Sequence, residues 1–147
     1  MPLLPHRITL VVGAVVDIAL HKHREPVSAH DLAERLQLRR RYLEPALQVL
    51  VREGILVGVR GARGGYKLAK APGAISVYDI SEAVKTIEIE EPSGLLRTVV
   101  VSALTKAEQG FASALKGITV ENLVHSASTQ RVANYRPAAS SRVGALW

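Results

Sequence analysis

The stretch from Ile55 to Ala69, reading Ile-Leu-Val-Gly-Val-Arg-Gly-Ala-Arg-Gly-Gly-Tyr-Lys-Leu-Ala, constrains this chain more than any other. Two β-rich runs, Ile55–Arg60 and Tyr66–Ala69, flank a five-residue tip, Gly61–Gly65. So short a connection closes only an antiparallel hairpin, because parallel strands need a long crossover between them. Gly54 before the hairpin and Pro72-Gly73 after it punctuate the chain on either side. The glycines do not make a phosphate cradle. Gly58, Gly61, Gly64 and Gly65 fit neither G-x-G-x-x-G nor G-x-x-x-x-G-K-[ST], and the tip joins strand to strand rather than strand to helix. Arg60, Arg63 and Lys67 load the hairpin with positive charge.

Around this hairpin the pattern is helical. Ile8, Val11, Val12, Val15, Ile18 and Ala19 recur at a helical period from Arg7 to His23, with no proline until Pro26, which predicts a first, largely buried helix. Ser28, with Asp31 three residues on, resembles a capping box, and Leu32, Ala33 and Leu36 mark the inner face of a short second helix. After a turn at Leu36-Gln37-Leu38, apolar residues return at Leu43, Leu47, Leu50 and Val51, until Gly54 stops a third helix. Ser76 and Asp79 cap a fourth, using Val77, Ile80, Val84 and Ile87. Large rings are limited to Trp147, Phe111 and four tyrosines, so the core must be Leu, Val, Ile and Ala, which suits helix-on-helix packing.

The polar side of the third helix carries a stripe. Arg41, Glu44, Gln48 and Arg52 are three and four residues apart, headed by Arg39 and Arg40, so hydrogen-bonding side chains and positive charge gather at its leading end. Net charge makes the same point, because the formal +6 of the chain resides entirely within residues 1–75, while residues 76–147 are neutral. Such an imbalance calls for an anionic partner, nucleic acid or membrane surface. Pro45 falls inside this helix and removes a bond to the carbonyl of Arg41, which predicts a late start near Tyr42 or a bent first turn.

Beyond an acidic linker, 88–94, Leu96, Val99, Val100, Ala103, Leu104, Ala107, Phe111 and Leu115 keep a three-four spacing from Leu95 to Leu115. An apolar stripe of that length is a candidate partner face, most simply the same helix of a second subunit. Thr119 caps a short return helix, Val120–Val124, and residues 126–147 read as a poorly ordered tail. The expected organisation is a DNA-binding unit over 1–87, the linker, a dimerisation helix with its return helix over 95–125, and the tail.

Several classes are excluded or disfavoured. The chain has no cysteine, so it offers no disulfide, thiolate zinc site or cysteine-held iron–sulfur cluster. Its five histidines make no convincing metal set, although Asp17 and His21 are spaced as a helical pair, and neither metal nor other cofactor is expected. No nucleophile–base pairing or paired carboxylates suggest an enzyme. Met1–His6 is not a signal peptide and Asp17 interrupts the apolar run Ile8–Leu20, so a cytoplasmic location and no membrane partner are expected.

The order helix, short helix, charged-face helix, Gly-rich hairpin, helix, linker, long helix resembles the BadM/Rrf family of IscR- and NsrR-like winged-helix regulators. The resemblance rests on Val27-Ser28-Ala29-His30-Asp31-Leu32-Ala33-Glu34, on Arg41-Tyr42-Leu43-Glu44, and above all on Val59-Arg60-Gly61-Ala62-Arg63-Gly64-Gly65-Tyr66-Lys67-Leu68-Ala69. Residues 75–84 and 117–123 also match, and the likeness spans residues 3–124. It implies a mainly α (α+β) winged helix-turn-helix with a two-stranded wing and a long C-terminal dimerisation helix. The implied protein is a homodimeric repressor on an inverted-repeat operator in double-stranded DNA, its effector, small molecule or protein, unspecified. The reading helix would present Arg39, Arg40, Arg41 and the base-reading Glu44, and the wing would place Arg60 in the minor groove. Ser28, Tyr42, Gln48, Arg52, Arg63 and Lys67 complete the candidate DNA-contacting set. Many sensory members hold an iron–sulfur cluster with cysteines between the fourth and the long helix, where this chain has none. An effector pocket would lie near Ile87–Val100. The competing reading is a winged protein-interaction module without specific DNA binding.

Overall fold

The computed structural model describes residues 6–21, 25–85 and 102–130. Helix α1, His6–Leu20, touches α2, Ala29–Leu36, α3, Arg40–Arg52, and α4, Val77–Lys85, and its buried face of Ile8, Val11, Ala14, Val15, Ile18 and Ala19 follows the expected period. Among these apolar residues sits a charge. Asp17, 2% exposed, takes the guanidinium of Arg35 from α2 across both oxygens, with Nη2 at 2.8 Å and Nε at 3.0 and 3.2 Å. His21 donates Nδ1–H to the Asp17 carbonyl at 2.6 Å. Asp17 is therefore a structural counter-ion that locks α1 to α2, since a bidentate pair satisfies a carboxylate that burial would otherwise penalise.

The α2–α3 turn is built by backbone bonds. Leu38 N–H reaches the Ala33 carbonyl at 2.9 Å and Gln37 N–H the Glu34 carbonyl at 3.2 Å, which forces Gln37 to φ 54°. This six-to-one closure satisfies carbonyls that the helix end leaves open. The third helix opens at Arg40 rather than near Tyr42, so Pro45 is an interior residue and the late start does not occur. Tyr42 N–H bonds the Arg39 carbonyl, three residues back, at 3.0 Å. Burial of Leu43, Ala46, Leu47, Val49 and Leu50 holds the helix in place despite the missing donor at Pro45.

Strands β1, Leu56–Val59, and β2, Gly65–Leu68, form the two-stranded antiparallel sheet, with Leu56 opposite Leu68 and Val59 opposite Gly65. The tip accordingly runs over 60–64, one residue earlier than the sequence suggested. Gly65 belongs to the ladder for a steric reason: at φ +155° a Cβ there would lie 2.3 Å from the Val27 carbonyl oxygen. That close approach lets Val27, just before α2, pair with Tyr66 in both directions, N–H to O at 3.0 and 2.8 Å.

A single 3₁₀ turn, Pro72–Ala74, leads to α4, whose first turn carries a reciprocal Ser76–Asp79 box with bonds of 2.9 and 3.0 Å. Helices α5, Ser102–Lys116, and α6, Val120–Thr129, follow, and the Thr119–Asn122 capping box starts the latter. The junction between them pairs with the start of α4, Val77 N–H to the Ile118 carbonyl at 2.9 Å and Val120 N–H to the Ile75 carbonyl at 3.0 Å. Val120 is fully buried in the same core as α1. The return helix is longer than the expected Val120–Val124, so residues 126–129 are helical and not tail. Its second half is held through Val124, which packs on the core, and α6 lies against α1. Ile87, the linker 88–94, the Leu95 start of the long helix, the Ile87–Val100 pocket and residues 131–147 lie outside the described residues. Among the described residues no helix is long and apolar enough to cross a membrane.

Candidate nucleic-acid interface

The burial that roots α3 also turns its other face outward. With Leu43, Leu47 and Leu50 inside, the helical period leaves Arg40, Arg41, Gln48 and Arg52 exposed and Glu44 half-exposed. Arg39, the N-cap residue, has extended backbone and makes no side-chain cap bond, so its exposed guanidinium projects beside the helix entry. Arg60, Arg63 and Lys67 are exposed on the hairpin.

Helix and hairpin lie side by side. α3 packs on β1, and Gln48 Nε2 donates to the Tyr66 hydroxyl at 3.1 Å across the gap between helix and wing. The cations of both elements therefore share one surface, the arrangement that duplex recognition needs: a helix for the major groove with a basic hairpin beside it.

Local pairing tunes several of these groups. Arg40 Nε grips Glu44 Oε1 at 2.6 Å, one turn along the helix, which orients the carboxylate and occupies one of its acceptor positions. Arg41 stacks over the Tyr42 ring at 4.8 Å and donates from Nη2 to the Tyr42 hydroxyl at 2.9 Å. Tyr42 is 65% exposed, so its ring and hydroxyl are open to solvent on the same face. Arg63 lies 3.8 Å from Glu25, a contact between two exposed groups that water screens heavily. Ser28 is occupied as the α2 cap, its oxygen accepting from Asp31 N–H at 3.1 Å, and its own proton remains available to donate.

The structure thus brings Arg39, Arg40, Arg41, Tyr42, Glu44, Gln48, Arg52, Arg60, Arg63 and Lys67 onto α3 and the hairpin, with Ser28 at the head of α2. One residue outside the predicted set joins them. Tyr66 meets the pre-α2 segment through its backbone and α3 through its hydroxyl, while its ring packs on the core. Its identity as the sole aromatic residue of the hairpin was the available signal.

The chain matches the family Rrf2, described as an iron-dependent transcriptional regulator, over residues 4–126. It is 36% identical over 130 residues to slr0846 of Synechocystis sp., a provisionally named HTH-type transcriptional regulator, covering 83% of this chain and 87% of that one. To the HTH-type transcriptional regulator IscR of Erwinia tasmaniensis it is 42% identical over 73 residues, which span 50% of this chain and 44% of the relative. The solved structure of T. potens IscR superposes with a TM-score of 0.71 at 30% identity, covering 88% of this chain and 92% of the other.

The iron named in the family description can be tested against the donors present. The chain has no cysteine to supply thiolates. Among the described residues, His30, Asp31 and Glu34 bring ligand atoms within 4.8 Å of one another, but all three are solvent-exposed on one short helix, where acidic groups commonly gather without a metal. These residues do not fit an iron centre of the thiolate-held kind, and the chemistry of the basic face does not call for one. The fold of α3 beside the two-stranded wing and the extent of the matches together make the chain a member of the Rrf2 family of winged-helix transcriptional regulators.

Proposed function

We propose that the chain is a sequence-specific DNA-binding regulator, a repressor working as a homodimer on an inverted-repeat operator without an iron–sulfur cluster. The observation that carries this reading is the exposure of Arg39, Arg40, Arg41 and Arg52 on α3 together with Arg60, Arg63 and Lys67 on the adjoining hairpin. α3 enters the major groove, where Arg41 forks onto a guanine edge and Glu44 accepts from a cytosine amino group. For Glu44 to do so, its carboxylate must share itself between Arg40 and the base, so the Arg40–Glu44 pair sets the direction in which it points. The wing places Arg60 in a narrow, strongly negative minor groove, while Arg63 and Lys67 hold phosphates. A second subunit, joined through α5, supplies the matching half.

The reading makes chemistry on a substrate unnecessary, and the names of the relatives support a non-enzymatic role. The test is affinity selection from genomic fragments, followed by titration of the selected duplex at rising salt. The expected result is an inverted repeat of about 25 base pairs and an affinity that falls steeply with salt, about a thousandfold or more between 50 and 200 mM. A purified protein that prefers no fragment over random DNA overturns the proposal and favours the protein-interaction module.

A further inference from the structure

We infer that Gln48 is a positioning residue rather than a base reader: with Tyr66 it forms a strut that fixes the wing against the reading helix and so sets which minor-groove sequence Arg60 accepts. The inference rests on the proposed DNA-binding function. Its physical content lies in the way the hairpin is attached. β2 is pinned to Val27 by two backbone bonds, 3.0 and 2.8 Å, made available by the absent side chain of Gly65. On the other strand Leu56 is buried, while Val57 and Val59 are 47% and 38% exposed. The base of the hairpin is rooted by buried Ile55 and Leu56 and by Tyr66 and Leu68 packed on the core, whereas residues 57–63 are exposed, so the outer hairpin is its less constrained part. The Gln48–Tyr66 bond at 3.1 Å adds a tie between the hairpin and the exposed face of α3, and so opposes movement of the wing away from that helix.

The Tyr66 ring is only partly buried against the core and its backbone pairs with Val27, so its hydroxyl reaches Gln48 from a defined direction while the bond still limits how far the ring and its strand can move. In free protein this bond is exposed to competing water and adds little to stability. Under a bound duplex water is excluded, the bond strengthens, and its geometry matters to where the wing arginine sits. A strut should therefore reveal itself in sequence preference and not in thermal stability.

The experiment uses duplexes selected by the wild-type full chain from a randomised 30-base-pair pool. Affinity and per-position base preference are measured for wild type, Tyr66→Phe, Gln48→Met and the double variant, each also combined with Arg60→Ala, alongside melting temperatures. The expected outcome is an unchanged melting temperature and a loss of about two- to tenfold for either single variant, with the double variant losing no more than one of them. Preference flattens at the wing positions, positions under α3 keep theirs, and the losses vanish when Arg60 is absent. Additive losses overturn the strut, as does a neutral Tyr66→Phe beside a Gln48→Met that erases one base position under α3, which makes Gln48 a reader. A wild type that selects no sequence removes the DNA-binding reading and the strut with it, an outcome distinct from selection with additive variants.

Discussion

The third helix and the wing carry the same kind of charge but are rooted to different extents. α3 buries Leu43, Ala46, Leu47, Val49 and Leu50, so its exposed face is as rigid as the core beneath it. The hairpin buries Ile55 and Leu56 at its base and packs Tyr66 and Leu68 on the core, but residues 57–63 are exposed, and backbone bonds to Val27 and one side-chain bond to α3 complete its attachment. Rooting along its whole length fixes α3, whereas rooting at the base alone leaves the far end of the hairpin less constrained. Base reading in the major groove needs the first kind of support. Following a minor groove of variable width is served by the second.

This contrast can be broken or sharpened by substitution. Leu47→Ala empties fully buried volume and is expected to cost about 2–5 kcal/mol in urea unfolding, while Val57→Ala on the wing stays within about 0.5 kcal/mol. Equal losses at the two sites would mean that the wing is as rooted as the helix. Gly65→Ala places a Cβ against the Val27 carbonyl, which must shift. It should destabilise by about 1–3 kcal/mol, with helical circular dichroism retained and protease cleavage appearing in the hairpin. Arg60→Ala leaves folding intact and relaxes preference at the wing positions by about 1–3 kcal/mol in competition binding. Lys67→Ala has the smallest effect, a uniform weakening across sequences that lowers the slope of log affinity against log salt by about one. If Lys67→Ala alters base preference and Arg60→Ala does not, the roles of the two cations are reversed.

Much of this surface was legible because it is written in local periodicity. Alternation and glycine punctuation mark the hairpin, and the leucine spacing of α3 implies its polar stripe without any knowledge of neighbours. The caps at Ser76 and Thr119 could be read for the same reason, since each bond closes within four residues. Pro45 misled as to where the helix starts, because its local cost argues for a late start while the burial of Leu43, Ala46 and Leu47 outweighs one missing bond. The end of α6 was also set too early. Ser126-Ala127-Ser128-Thr129 is a weak helix sequence, and contact of α6 with α1 extends the helix through it.

The amino-acid order alone determined the element types, the basic face and the absence of thiolate ligands, because each depends on neighbours a few residues apart or on composition. Tertiary structure decided which distant groups meet: Asp17 with Arg35, Gln48 with Tyr66, Val27 with Tyr66. The first two pairs stand 18 residues apart and the third 39, separations at which no sequence period carries information. The packing of α1, α2, α3 and the hairpin against one another brings them together.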